Sequence, residues 1–280
     1  MIFKILFTLL LFLSFFFLTQ RRTDGFALYK IGFSQAFNPA WDTDMTLSEE
    51  ELKEIFNQPF DYLAKGAQTY AFVSRDGRYV IKFFRYLNKY ATPLEFLPLE
   101  SVRKTAAKRK GKLQKDFSSY KIAFEQMKEE TGLLYLHLNP TRHLKRSITL
   151  YDKMKPQYKL SLDEFGFILQ KRAAPFYPTL TNWIEENKTE EAKQALTALV
   201  HLIAKRCVLG IFDKDPDLAT NFGFLEETPI QFDIGRFKVD EAQKNLQALP
   251  KILKPLEIWL SQKAPELATY LNHEISQAAR

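Results

Sequence analysis

The hydrophobic period of this chain changes partway along, and that change constrains the fold more than any single motif. Between residues 61 and 87 the apolar runs are short and strand-like: Tyr70-Ala-Phe-Val73, then Ser74-Arg-Asp-Gly77, then Tyr79-Val-Ile-Lys-Phe-Phe84. Two such runs around an Asp-Gly turn predict a β-hairpin. Ser147-Ile-Thr-Leu-Tyr151 and Phe165-Gly-Phe-Ile-Leu-Gln170 read as two further strands with a polar connection between them. Residues 116–137 read instead as one long helix, with Phe124, Met127, Leu133 and Leu134 towards one side. From about residue 178 the helical period takes over. Thr189 is expected to cap a helix with Glu190 and Glu191 in its first turn and Leu196, Leu199, Val200, Ile203 and Cys207 on its apolar face, ending near Gly210. Residues 240–280 continue as amphipathic helix broken by Pro250, Pro255 and Pro265. The prediction is an α+β fold: a small strand-rich half carrying one long helix, then a helical half.

The N-terminus differs in kind. Residues 5–19 carry no charge, with Lys4 before them and Arg21-Arg22 after. Such a run lies between a short membrane span and the apolar core of a signal peptide. The exit Phe17-Leu-Thr-Gln-Arg-Arg22 offers no small-x-small cleavage pattern, which favours an uncleaved single-pass anchor over an exported chain with a cleaved signal. Residues 1–22 are therefore set apart as anchor or signal. Residues 23–60 are expected to be a linker followed by a short helix, which Ser48 and Glu51 open with a capping-box pattern.

Charge and cysteine content bound the function classes. The net charge is +7, and the seven basic residues between Arg103 and Lys115, with no acidic one, equal the whole excess. A local basic segment does not describe a general nucleic-acid binder. It describes a solvated face, or contact with an anionic lipid or polyanion. Cys207 is the one cysteine, so no intrachain disulfide forms, and the four histidines have no zinc-ligand spacing. No Gly-x-Ser-x-Gly supports a nucleophilic hydrolase. Asp213-x-Asp215-x-Asp217 begins like a calcium loop, but Leu218 replaces the required glycine and Phe224 the final glutamate, which excludes an EF-hand.

Four features then fall in order. Leu63-Ala-Lys-Gly-Ala-Gln-Thr-Tyr-Ala-Phe-Val73 is a one-glycine turn before a strand; Lys82 ends Tyr79-Val-Ile-Lys82; the long helix carries Glu125, Glu129 and Glu130; and Gly210-Ile-Phe-Asp-Lys-Asp-Pro-Asp-Leu-Ala-Thr-Asn221 precedes Phe232-Asp-Ile-Gly235. In this order and spacing, over roughly residues 61–240, the chain resembles the protein-kinase-like superfamily, nearer its aminoglycoside- and choline-kinase-type branches. The resemblance implies a two-lobed fold: an N-lobe over 61–174 with a basic insertion at 100–115, and a helical C-lobe over 175–280. It implies ATP and Mg2+ as cofactors, with Gly66, Ala67, Gln68, Val80 and Lys82 at the nucleotide and Glu130 orienting Lys82, Glu125 being the next choice. By the same resemblance Asp215 would act on a hydroxyl acceptor, and Asn221 and Asp233 would hold the metal. A cytoplasmic domain follows from the need for ATP.

Two departures from the family pattern leave a catalytically inactive pseudokinase, serving as a membrane-anchored binding module, as the alternative. Asp213 stands where a histidine is usual, and Asn221 comes six residues after Asp215 rather than five.

Overall fold

The computed structural model describes residues 1–33, 35–93 and 95–279. Ser34, Leu94 and Arg280, which fall in the expected linker, the Pro-containing stretch near residue 95 and the chain's end, lie outside the described residues. The architecture is mixed α+β, and the chain divides into two compact units: Met1–Leu113 with His137–Leu169, and Gln114–Leu136 with Gln170–Arg280.

The first unit opens with α1 (Ile2–Arg22) and α2 (Glu49–Phe56), then β1 (Phe60–Lys65), β2 (Thr69–Ser74), β3 (Tyr79–Phe84), α3 (Tyr86–Lys89) and the first half of α4 (Glu100–Gln126). After β4 (Leu133–His137), which belongs to the second unit except for His137, come β5 (Ser147–Tyr151), β6 (Gln157–Ser161) and β7 (Phe167–Lys171), whose last two residues are also the second unit's. The strands run in the order β4-β7-β3-β2-β1-β5-β6. β2 and β3 form the expected hairpin, with Ala71 opposite Lys82. Gly77 takes φ +76° in its turn, a conformation open to glycine without a Cβ penalty. The capping box of α2 is complete: Ser48 Oγ accepts the Glu51 N–H, and Glu51 accepts the Ser48 N–H.

The stretch expected as a linker is irregular but packed. Phe26 and Ile31 are buried, and Gly32 makes a β-bridge to Phe165. The Asn38 N–H donates to Asn139 Oδ1 while Asn139 Nδ2 donates back to the Asn38 carbonyl.

Several short strands escape the sequence reading, β4 and β6 among them. β6 lies in the supposed polar connection, antiparallel to β5, with Leu160 its one buried apolar residue. β4 lies inside the supposed helix of 116–137. Helix α4 starts sixteen residues earlier, so the basic segment is its first half, and it ends at Gln126. A 3-10 turn at Glu129–Thr131 and Gly132 at φ +62° then start the strand.

The second unit holds the rest of α4, then β8 (Ala174–Pro175), α5 (Phe176–Glu185), α6 (Thr189–Val208), β9 (Ile211–Asp213), α7 (Leu218–Asn221), β10 (Phe222–Leu225), β11 (Thr228–Gln231), β12 (Phe237–Val239), α8 (Leu249–Lys263) and α9 (Pro265–Ala278). Helix α6 buries Leu196, Leu199, Val200, Ile203 and Cys207 as its spacing requires, packing against α5, α9 and β11. Each fully buried leucine or isoleucine there contributes about 1.5–3 kcal/mol. Its N-cap is Lys188, not Thr189, and Gly210 at φ +66° ends it. Pro250 and Pro255 sit within α8, so only Pro265 breaks the C-terminal helix.

Candidate functional site

The residues singled out from the sequence fall into two groups, one in each unit. In the first unit, Gly66, Ala67 and Gln68 form the β1–β2 turn. The Gly66 N–H closes it on the Thr69 carbonyl at 2.9 Å. The Gly66 and Ala67 carbonyls accept from Arg85 Nη1 at 3.0 and 3.3 Å, and the Gln68 carbonyl accepts the Arg85 N–H. Gly66 has no positive φ, and a Cβ there would stand 3.5 Å from its nearest neighbour, an ordinary contact. The fold itself therefore does not demand glycine at this position. Val80 and Lys82 lie two apart on β3, hence on one face of the sheet. Val80, opposite Val73, is buried, and Lys82, opposite Ala71, is half-buried.

In the second unit the aspartate loop runs from β9 through α7 to β10, and a hydrogen-bond network ties it to the Asp233 turn. Asn221 is buried; its Nδ2 donates to the Asp215 carbonyl at 2.5 Å, and its own carbonyl accepts the N–H groups of Phe232 and Asp233 at 2.9 and 3.3 Å. The single turn of α7 leads to Asn221, and Asp217 caps it by accepting from Ala219 N–H and Thr220 Oγ1. Thr220 has one hydroxyl proton. It lies 2.7 Å from Asp217 and 3.0 Å from Asn221 Oδ1, so Asn221 keeps oxygen lone pairs free of that bond. Asp233 is exposed; its carboxylate accepts a long bond from Gly235 N–H, at 3.4 Å, and its carbonyl one from Gln231 Nε2, also at 3.4 Å.

Asp213 holds the loop from beneath. It is buried, accepts the Asp215 N–H at 2.9 Å and Gln231 Nε2 at 2.5 Å, and pairs with Arg206 at 3.5 Å. Gln231 is 0% exposed, and its Oε1 accepts from Arg206 Nη1 at 2.5 Å. Burial pushes the Asp213 carboxyl above the usual carboxylate range, against the bonds from Asp215, Arg206 and Gln231. Burial also presses on Arg206, but a guanidinium keeps its proton at any working pH. Asp213 thus supports the loop from within through Asp215 N–H, Gln231 and Arg206. Above it, the half-exposed carboxylate of Asp215 pairs with Arg236 Nη1 at 3.0 Å. Ser119 of α4 fixes the other side of the turn, donating to the Ile234 carbonyl and accepting the Phe237 N–H, both at 2.5 Å.

Glu130 stands apart from its expected place. It lies in the 3-10 turn after α4 rather than on the helix, and its carboxylate is ion-paired with Lys205 of α6. Glu125 is on the last turn of α4 and pairs with Lys121. Sequence reasoning passed over Arg206, Gln231, Arg236 and Ser119. It also missed Gln170, whose Nε2 donates to the Thr131 and Phe232 carbonyls while its buried Oε1 has no hydrogen-bond partner among the described residues. No group of three or more His, Cys, Asp or Glu suited to a metal occurs among the described residues.

Among the described residues, one helix, over Lys4–Arg22, is long and apolar enough to cross a membrane or to serve as a signal sequence. No family model and no curated protein matches the chain. Among solved structures it is similar to that of the bifunctional kinase-methyltransferase WbdD, at 12% identity and a TM-score of 0.38. The match covers 76% of this chain and 42% of that one, so the chain spans less than half the length of that protein.

Proposed function

We propose that the chain is an ATP- and magnesium-dependent phosphotransferase acting on a hydroxyl acceptor, protein or small molecule, anchored by α1 as a single span with its domain on the cytoplasmic side. One observation carries the reading. Asp215 and Asn221 of one loop and Asp233 of the next turn share one hydrogen-bonded cluster, in which the Asp233 carboxylate is exposed and accepts a long bond from Gly235 N–H. Phosphoryl transfer needs positioning and charge neutralisation more than covalent chemistry, and bound magnesium supplies that neutralisation at the phosphates. Asn221 Oδ1 and the Asp233 carboxylate would hold the metal. Asp215, fixed through its own N–H and carbonyl, would orient the acceptor hydroxyl and take its proton.

Lys82 would pair with the nucleotide phosphates beneath the Gly66–Gln68 turn, with Val80 beside it. A glycine that the fold does not require suits a turn approached closely by a ligand. The orphan Gln170 Oε1 would accept an N–H from a bound base. Glu130, engaged by Lys205, is left out of this set.

The Arg236–Asp215 ion pair favours a second reading, a pseudokinase whose acceptor-facing carboxylate is neutralised. Thermal unfolding of the full chain in detergent tests the proposal. ATP with Mg2+ at 100-fold over its dissociation constant adds about 2.7 kcal/mol, or roughly 5 °C for a chain of this size. Asp233→Asn should remove the magnesium-dependent part. No shift with either ATP or GTP refutes the phosphotransferase, and a shift without transfer to any hydroxyl acceptor selects the pseudokinase.

A further inference from the structure

Helix α1 does not lead into a slack tether. The residues just after it are fastened to the first unit. The Gly25 carbonyl accepts from Lys30 Nζ at 2.7 Å and Tyr70 Oη at 2.8 Å, and Asp24 accepts from Tyr62 Oη and Lys153 Nζ. Phe26 is buried edge-on against Tyr70, Phe72 and Tyr158. The end of the apolar helix therefore has a set position on the surface of the unit.

Cations gather at that position. Arg21 and Arg22 close the helix. A methyl group built on Gly25 would stand 3.9 Å from both the Lys30 and the Lys65 ammonium, so these two charges converge on one point. Arg85 is the third, stacked on Tyr70 at 5.4 Å, and its buried Nε has no hydrogen-bond partner among the described residues. The neighbouring carboxylate, Asp24, is already taken. Beside them Tyr29 is 68% exposed, and Leu63 on β1 is also exposed. An exposed aromatic among basic residues at the end of an apolar helix is the composition of a membrane–water interface. The 19 residues Lys4–Arg22 span about 28 Å, close to a bilayer's hydrocarbon core, so their end delivers these cations to headgroup depth.

We infer that the end of α1, the turn Leu28–Lys30 and the β1–β2 turn form one seat on the bilayer surface, in which Lys65 and Arg85 bind the phosphate of an anionic lipid headgroup while the buried Lys30, held by the Gly25 carbonyl and Gln20, adds its charge from behind. The inference rests on the anchored reading of α1. It adds that the turn carrying Gly66 faces the membrane, and it places lipid contact here rather than on the basic half of α4.

The test uses the full chain in nanodiscs of phosphatidylcholine alone, or with about 30% phosphatidylserine as the anionic component. Spin labels are placed at Tyr29→Cys and at Arg75→Cys, the latter about 20 Å away beyond the far end of β2. Cys207 is buried and stays unlabelled. In anionic discs the label at 29 should be several-fold less accessible to a water-soluble relaxation agent than the label at 75. Lys65→Gln with Arg85→Gln should abolish the difference between anionic and neutral discs. Equal accessibility at the two positions in anionic discs overturns the seat. Equal shielding at 29 in neutral discs, or its loss on adding inorganic phosphate, overturns the lipid headgroup as ligand. Extraction of the chain from membranes by alkaline carbonate refutes the anchor itself, an outcome distinct from an anchored chain whose label at 29 stays in water.

Discussion

Asp213→Asn tests the claim that a buried charge pair supports the aspartate loop. The change keeps volume and one oxygen, so the Asp215 N–H keeps its acceptor, but the charge facing Arg206 is gone. Arg206 is 2% exposed and cannot turn to water. The new amide also points N–H at Gln231 Nε2, a donor. Gln231 cannot flip to compensate, because its Oε1 is held by Arg206. Breaking one side of a buried pair costs about 3–5 kcal/mol, since it leaves an uncompensated charge. With an unfolding entropy near 2.1 cal/mol/K per residue, about 0.6 kcal/mol/K for this chain, Tm should fall by roughly 5–9 °C. Replacing the buried set together, Arg206→Met, Asp213→Leu and Gln231→Leu, removes the charge without orphaning the Gln231 amide and should recover most of the lost stability. This triple variant still leaves the Asp215 N–H without its acceptor, so amide hydrogen exchange at Asp215 should stay fast although Tm recovers. Calorimetry on the parent and both variants reads the first quantity, and exchange reads the second. An Asp213→Asn protein melting within about 2 °C of the parent, on the same entropy scale, refutes the reasoning.

Two further outcomes follow from the packing. Burial holds His137 neutral and lowers its pKa to about 4 from an ordinary 6.5, with its Nδ1 donating to the Phe165 carbonyl. The unfolded chain therefore binds more protons between those values, and stability should fall by about 3 kcal/mol as pH drops from 6.5 to 4, a slope that His137→Gln should flatten in urea titrations across that range. Gly223 of β10 has the Ala174 carbonyl 2.3 Å from where a Cβ would lie, and backbone cannot yield as a side chain can. Gly223→Ala should cost about 3 kcal/mol or more and lower the urea midpoint, opening the β8–β10 pairing next to Asn221.

What the sequence could and could not disclose follows from where each signal is written. The β2–β3 hairpin, the capping box of α2 and the buried face of α6 were legible because each is a local pattern: a turn dipeptide, a four-residue cap, a helical stripe. β6 was not, because it pairs with one neighbour at the end of the strand order and buries one leucine, leaving no alternation to read. The end of α4 was missed although Gly132 marks it. Leu133 and Leu134 extend the apolar run across that glycine, and the neighbours that crowd it, Ile230 and Leu225, lie almost a hundred residues away. Arg206 is the instructive case. It sits three residues after Ile203 and seven after Leu199, on the apolar stripe itself, and a cation in such a place must either break the stripe or bring a buried partner with it. The aspartate seven residues later is that partner, and the loop's alternating carboxylates divide accordingly. Asp213 turns inward to the guanidinium, the exposed Asp217 caps a helical turn, and Asp215, half-exposed, is held by its N–H on Asp213 and pairs with Arg236. A charge on an apolar face thus sorts three identical side chains into different roles before any ligand is considered.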